Sequence, residues 1–275
     1  MLAKLLKHDN RAIFKYWWIA AVSSLFVAAF DGLCIRISSV SYTTHESLVN
    51  LATLGIVFAN LALMMFPILT EVLIVIRFYK HFFTDEGYLT FTLPVKKTSL
   101  LNSKLLSALL FIFASSMILV FDYFIVFAIC DPEFVFSADF WNDLGDIFSE
   151  IYGYLGVHGA VYTILGIAIF FVAMLMQVLF IFLCITLAAV VAKKHKVLAA
   201  IGIYYGANVV SSFIMQLFSI FGLFVIFENL SYLDELASFI GFDFLFFGLL
   251  GIFIVIAAAL YLAEYYLLDK RLNLE

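Results

Sequence analysis

Few side chains in this sequence of 275 residues could carry chemistry, and their spacing narrows the choice further. Cys34, Cys130 and Cys184 form no Cys-x-x-Cys pair and no disulfide framework. His8, His45, His81, His158 and His195 lack the spacing of metal ligands, which argues against a structural zinc or redox centre. A phosphate-cradling loop needs GxxxxGK followed by Ser or Thr, yet none of the 14 glycines precedes a lysine. No residue is therefore nominated for catalysis, for a bound cofactor or for a metal. What stands out instead is polar groups in apolar surroundings. Asn60, Pro67 and Glu71 interrupt one hydrophobic run, Asp122 and Gln177 sit in two others, and Tyr205, Asn208, Ser212 and Gln216 share one helical face of a further run. Such groups face a bundle interior or a cavity rather than lipid.

Those runs must be membrane-crossing elements. The chain is 65% hydrophobic and 13% charged, against about 45–50% and 25% in soluble domains. With only three prolines and 18% aromatic residues it is no disordered chain either. A bilayer core of about 30 Å needs roughly 20 apolar residues at about 1.5 Å each. Six segments qualify: Trp17 to Ile35, Leu51 to Ile76, Leu105 to Cys130, Val161 to Ala192, Val197 to Phe227 and Phe244 to Ala263. The expected fold is an all-α membrane protein, a single membrane domain over 1–275 whose six-helix bundle occupies 17–267.

Charge placement orients it. Before the first span lie Lys4, Lys7, Arg11 and Lys15; Arg77, Lys80, Lys96, Lys97 and Lys104 lie between the second and third. Lys193, Lys194 and Lys196 follow the fourth span, and Lys270 and Arg271 the sixth, so 14 of the 15 basic residues share one side and only Arg36 lies opposite. The positive-inside rule makes the shared side cytoplasmic and places both termini there. Ten acids accompany Arg36 outside, so the acidic overall charge averages two compartments and implies no nucleic-acid partner.

Three segments lie outside the hydrocarbon. Residues 1–16 read as an interfacial helix with Leu2, Leu5, Leu6, Ile13 and Tyr16 on one face and Lys4, His8, Arg11 and Lys15 on the other. It serves as an anchor for the first span or as a specific lipid or partner site. Within the connection over 131–158, Ser137 to Leu155 sets Phe140, Trp141, Leu144, Ile147, Phe148, Ile151 and Tyr152 against Asp139, Asp143, Asp146 and Glu150. That pattern fits a surface helix on the membrane or on protein, or an electrostatic funnel for cationic peptides. The connection over 77–104 is the longest on the cytoplasmic side. Thr84 can cap a short helix with Asp85 and Glu86 in its first turn, and Pro94 ends it. Tyr88, Leu89, Phe91 and Leu93 make that helix more apolar than an idle loop requires.

At these residues the sequence resembles the type-2 exporter family of ABC transporter permeases. Between their second and third helices such permeases carry an acidic residue and Gly, a Leu, then Leu-x-Pro or Pro-Val, and later Gly or Ser-Lys-Leu-Leu. Here the elements are Asp85-Glu86-Gly87, Leu89, Leu93-Pro94-Val95 and Ser103-Lys104-Leu105-Leu106. The sequence likeness is strong over residues 77–106, and the architecture agrees over the whole chain. The resemblance implies that Thr84, Asp85, Glu86, Gly87, Tyr88, Leu89, Leu93 and Pro94 form a coupling helix that docks on a separate ATP-binding cassette ATPase subunit, which holds the ATP and Mg. It also implies a second permease subunit, identical or related, and a multi-pass place in a bacterial plasma membrane. The cargo would be hydrophobic or amphipathic, a peptide among the candidates. Asn60, Tyr205, Asn208, Ser212 and Gln216 are candidate pathway residues, with interhelical hydrogen bonding as the alternative. Gly202 and Gly206 form a GxxxG ridge for packing within the subunit or at a dimer seam. Two other readings remain: an ion- or proton-coupled secondary transporter using Glu71 and Asp122, and a membrane sensor or scaffold that recruits an ATPase.

Overall fold

The computed structural model describes residues 2–41, 46–84, 87, 96–192, 196–230 and 235–270. Among these the chain is all-helical. Its helices are α1 (Leu2–Ser41), α2 (Glu46–Phe83), α3 (Lys97–Cys130), α4 (Pro132–Val135), α5 (Ala138–Leu155), α6 (Val157–Val191), α7 (Lys196–Leu230) and α8 (Glu235–Lys270). Five stretches are long and apolar enough to cross a bilayer: Ala3–Ser39, Glu46–Phe83, Lys97–Cys130, His158–Val191 and Phe246–Asp269. A shorter apolar stretch, Leu198–Phe213, lies in α7. Large apolar side chains such as Phe26, Leu51 and Val255 are exposed along these helices, as lipid-facing positions must be. This is a multi-pass membrane protein.

The sequence places a break between an interfacial helix over 1–16 and the span that follows. No break is present, and α1 is one helix of 40 residues. A change from basic to apolar composition does not interrupt a backbone; Pro, Gly or a competing cap does, and α1 contains only Gly32. At about 1.5 Å per residue α1 reaches roughly 60 Å, twice the hydrocarbon thickness.

The chain divides into two compact units, Met1–Phe78 with Asn102–Gly159 and Tyr79–Leu101 with Ala160–Glu275. In the first, α1 and α3 run in the same direction and α2 runs against both. Asp9 meets Lys104 and Trp17 meets Ser115 between α1 and α3, while Asp9 meets Arg77 and Asp31 meets Asn60 between α1 and α2. Ala28, Leu63 and Val126 supply one buried cluster from all three helices. Gly32 lets α1 and α3 touch, because a Cβ there would lie 2.9 Å from both the Ile129 Cβ and the Val126 carbonyl oxygen. Small residues at such crossings are how helices associate where lipid is as apolar as the side chains.

Polar groups recur down the middle of this bundle. Asp9, Trp17, Ser24 and Asp31 are all buried and fall seven or eight residues apart, hence within about a quarter turn of one another on α1. The Trp17 indole N–H donates to Ser115 Oγ at 2.9 Å, and Ser115 shares a 2.8 Å hydrogen bond with Thr70 of α2. The Trp17 ring also meets Phe111 edge-on at 5.3 Å and Phe66 at 6.2 Å, so one residue joins three helices. Two short helices complete the unit. Asp131 caps α4 by accepting the Phe134 N–H, and Ser137 caps α5 by accepting the Phe140 N–H. Gly156, at φ 53°, ends α5 and gives its N–H to the Tyr152 carbonyl at 2.8 Å. The helix expected over Ser137 to Leu155 is thus present.

In the second unit α6 supplies most of the interior, burying Leu165, Met174, Val178, Phe182, Ile185 and Ala188 at helical spacing. It runs alongside α8, with Tyr162 stacked on Phe246 at 5.3 Å and Thr186 Oγ1 donating to Glu264 Oε1 at 2.7 Å. Phe180 meets Tyr204 of α7 at 6.1 Å.

Candidate functional site

The connection over 77–104 is held at its base by an acid that the residue pattern had not singled out. Asp9 is 2% exposed, and its Oδ1 accepts both Lys104 Nζ at 2.5 Å and Arg77 Nη2 at 3.4 Å. Arg77 Nη2 also lies 3.1 Å from His8 Nδ1. Lys104 is itself 5% exposed. Arg77 and Lys104 are the two ends of the connection, so a single carboxylate on α1 joins both of its stems. A buried charge persists only when paired and hydrogen-bonded, and here each cation supplies what the acid needs. The signal was present in the sequence: Asp9 is the only acid before Asp31 and falls between Leu6 and Ile13 on the apolar face of a basic helix.

Beyond that layer the chain belongs to the second unit. Thr84 directly follows the end of α2. Its hydroxyl donates to the Lys80 carbonyl at 2.6 Å and so closes the end of α2, while its own carbonyl accepts the Gly87 N–H at 2.7 Å. Threonine can bond backwards to residue i−4 as readily as forwards, which is why sequence pattern does not decide between the two. Gly87 has a steric reason to be glycine, since a Cβ there would sit 2.7 Å from the Phe82 carbonyl oxygen. Phe82 is buried, so this turn is packed onto fixed backbone. Asp85, Glu86, Tyr88, Leu89, Leu93 and Pro94 lie outside the described residues. At the far end Lys97 Nζ binds Asp269 Oδ1 at 3.0 Å and the Asp269 carbonyl at 3.2 Å, near the C-terminus of α8. Both side chains are about half exposed, and such a pair contributes roughly 0–1 kcal/mol.

The candidate pathway residues divide between the units. Asn60 is half-buried in the first unit, with its amide donating to Asp31 Oδ2 and to the Ile56 carbonyl, each at 3.0 Å. Those bonds are interhelical and local. In the second unit Asn208 donates to the Tyr204 carbonyl at 3.0 Å, while Tyr205, Ser212 and Gln216 are exposed on α7. Gly202 and Gly206 lie on an adjacent stripe of α7, about a quarter turn away at 3.6 residues per turn. A Cβ at either position would meet nothing within 4 Å. Among the described residues, then, the GxxxG ridge is not filled from within this chain.

Compared with family models, curated proteins and solved structures, the chain matches none of them. What it does has to follow from its own residues.

Besides Asp9, three buried acids lie within the described span-length helices. Asp122 is fully buried, and neither of its oxygens has a hydrogen-bond partner among the described residues. Ser24 lies beside it but gives its proton to the Ala21 carbonyl at 2.9 Å. Asp31 Oδ1 and Glu264 Oε2 are likewise unpartnered, while the second oxygen of each is bonded, to Asn60 and Thr186. Glu71 is half-buried on α2. On α5 the expected apolar stripe is exposed, including Trp141, Ile147, Phe148 and Ile151. Its neighbours in sequence are membrane-crossing helices, so a bilayer surface is the environment within reach of that stripe.

Proposed function

We propose that this chain is the membrane-spanning permease subunit of an ATP-driven exporter, working with a separate ATPase subunit that docks on Thr84 to Pro94. In this reading six helices cross a bacterial plasma membrane with both termini in the cytoplasm, and residues 2–16 of α1 project into the cytoplasmic interface. ATP and Mg are held by the partner, and this chain has no catalytic group of its own. The supporting observation is the Asp9 layer. A segment that passes force from one subunit into another must be rooted in both states, and Asp9 joins its two stems through Arg77 and Lys104. Gly87, packed against the Phe82 backbone, fixes the path of the chain beyond them.

A second permease subunit belongs to the same proposal. Gly202 and Gly206 present an unfilled ridge beside the exposed Tyr205, Ser212 and Gln216. Polar groups exposed on a membrane helix are satisfied by another helix or by a water-filled path. Two copies, or this chain and a related one, facing each other through α7 would supply both. The cargo is then a hydrophobic or amphipathic molecule, with a peptide among the candidates.

The experiment is recovery of the partner. A tagged chain purified from its own membranes should bring down a P-loop ATPase, and replacing Tyr88 and Leu89 with Ala should lose it without lowering the chain's abundance. Wild-type recovery by the double variant would overturn the docking assignment. One observation favours a different reading: the unpartnered Asp122 carboxyl suits an ion- or proton-coupled secondary transporter. That reading requires transport by the chain alone in vesicles, without ATP, and loss of it in Asp122→Asn.

A further inference from the structure

A groove of about 340 Å³ runs between α1 and α3, just past the buried Asp9–Lys104 layer. Its chemistry is divided by position. Asn10 and Arg11 form one end; Phe14, Trp17 and Phe111 lead away from them, with Leu110 and Ala114 along the α3 side. From residue 10 to residue 17 the groove extends roughly 10 Å along α1, at about 1.5 Å per residue. A polar head joined to an apolar track of that length has the form of an amphiphile.

Among the described residues the polar end lacks partners. Arg11 is exposed and has no hydrogen bond or ion pair among the described residues. Asp9, the only acid in the first 30 residues, is already engaged by Lys104 and Arg77. Lys4, Lys7 and Lys15 are exposed as well, so this end of α1 has an excess of positive charge with no further acid of its own to answer it. Asn10 Oδ1 is buried without a donor. A planar guanidinium pairs bidentately with phosphate, and an unsatisfied amide oxygen calls for a hydroxyl or ammonium donor.

We infer that this groove holds one anionic phospholipid from the leaflet nearest the N-terminus, its phosphate on Arg11, a headgroup hydroxyl on Asn10 Oδ1 and an acyl chain along Phe14 and Phe111. Free phosphate would satisfy Arg11 but leave the apolar track open, whereas a lipid fills both. An arginine at the rim of an apolar groove can lay its aliphatic stem along that surface and keep its head at the phosphate level. The site is independent of any ATPase, and it stands or falls apart from the exporter reading.

Trp17 forms a wall of the groove and can report on it. The chain has three tryptophans, Trp17, Trp18 and Trp141, and the last two are about half exposed, so Trp18→Phe with Trp141→Phe leaves Trp17 as the sole emitter. That protein is reconstituted into phosphatidylcholine vesicles containing a rising fraction of phosphatidylglycerol with brominated chains, which quench on contact. Brominated phosphatidylcholine in a parallel series measures non-selective lipid contact. Phosphatidylcholine carries the same phosphate, but its quaternary ammonium is repelled by Arg11, Lys7 and Lys15 and it has no hydroxyl for Asn10 Oδ1, so half-maximal quenching should need about tenfold less phosphatidylglycerol than phosphatidylcholine. Arg11→Gln should bring the two curves together. Arg11→Lys, which retains the charge but not the fork, should fall between them. Coincident curves in the Arg11 protein would overturn the site, leaving ordinary boundary lipid. Relief of quenching by inorganic phosphate would overturn it too, by showing an anion site with no lipid preference.

Discussion

Replacing Asp9 with Asn removes one charge and leaves two cations facing it. Lys104 Nζ has a side chain 6% exposed and Arg77 one 17% exposed. Stranding a buried partner costs about 3–5 kcal/mol. The Asn oxygen can still accept one hydrogen bond and Lys104 lies close to a helix end, so the lower figure, about 3 kcal/mol, is expected. That is roughly a hundredfold change in the folded-to-unfolded ratio. Arg77→Gln leaves the Asp9–Lys104 contact intact and breaks a longer, wetter one, and should cost about 1 kcal/mol. Lys104→Met should fall between the two, because Arg77 still answers the acid.

The order is more diagnostic than any single value. Asp9→Leu combined with Lys104→Met removes both buried charges and should return to within about 1 kcal/mol of the native protein, since an apolar pair replaces an ion pair at little cost. The measurement is chemical unfolding in detergent micelles followed by Trp17 emission, with Trp18 and Trp141 changed to Phe. Trp17 lies in the same three-helix bundle, two helical turns from Asp9, so the probe and the perturbation share one unit. If Asp9→Asn stays within about 0.5 kcal/mol of the native protein, or if the paired substitutions simply add, Asp9 does not hold the stems together.

Gly87→Ala places a methyl 2.7 Å from the Phe82 carbonyl oxygen and should displace the turn at an overpacking cost of about 1–3 kcal/mol, giving normal membrane abundance but at least a tenfold loss of ATPase recovery. Gly206→Leu meets nothing within 4 Å of its first carbon, so the single chain should keep its unfolding curve, while disulfide crosslinking through Val209→Cys on two copies should fall by about tenfold if the ridge is a seam between them. With the native cysteines replaced by Ser, an impermeant maleimide added to whole cells should label a cysteine at Asp143 and not one at Lys96; the reverse pattern would invert the topology.

The helices were legible in the sequence because a bilayer leaves a chain of this composition few alternatives. Every backbone N–H and C=O in hydrocarbon needs an internal partner, and the long apolar runs of this sequence have room only for helices. The helix α5 was legible for a different reason: its apolar and acidic faces repeat at helical spacing and Ser137 marks its start. Where sequence reasoning went astray, local chemistry was ambiguous or irrelevant. The hydroxyl of Thr84 donates back to the Lys80 carbonyl, a local bond that residue pattern does not distinguish from a forward one. The expected end of an interfacial helix near residue 16 was inferred from polarity, to which a helical backbone is indifferent. Asp9 belongs to no such local pattern. Its partners lie 68 and 95 residues away, and no periodicity in a single sequence connects positions so distant.

The two units show what polar residues do when the hydrophobic effect cannot choose between neighbours. Lipid tails are as apolar as Leu, so helices in a membrane are set in register by small residues and by hydrogen bonds. In the three-helix bundle both devices are engaged, with Asp122 the exception among the described residues. Asp9, Trp17 and Asp31 each find a partner on another helix, and Gly32 fits against Val126 and Ile129. On α7 the same two devices, a glycine ridge and a polar stripe, are both present and neither is engaged by a described residue of another helix. A packed example of each device in one unit makes the unpacked examples in the other informative. In the proposed pair they would meet a second polypeptide, which is why crosslinking at Val209, more than any property of the single chain, decides whether the protein works as a pair.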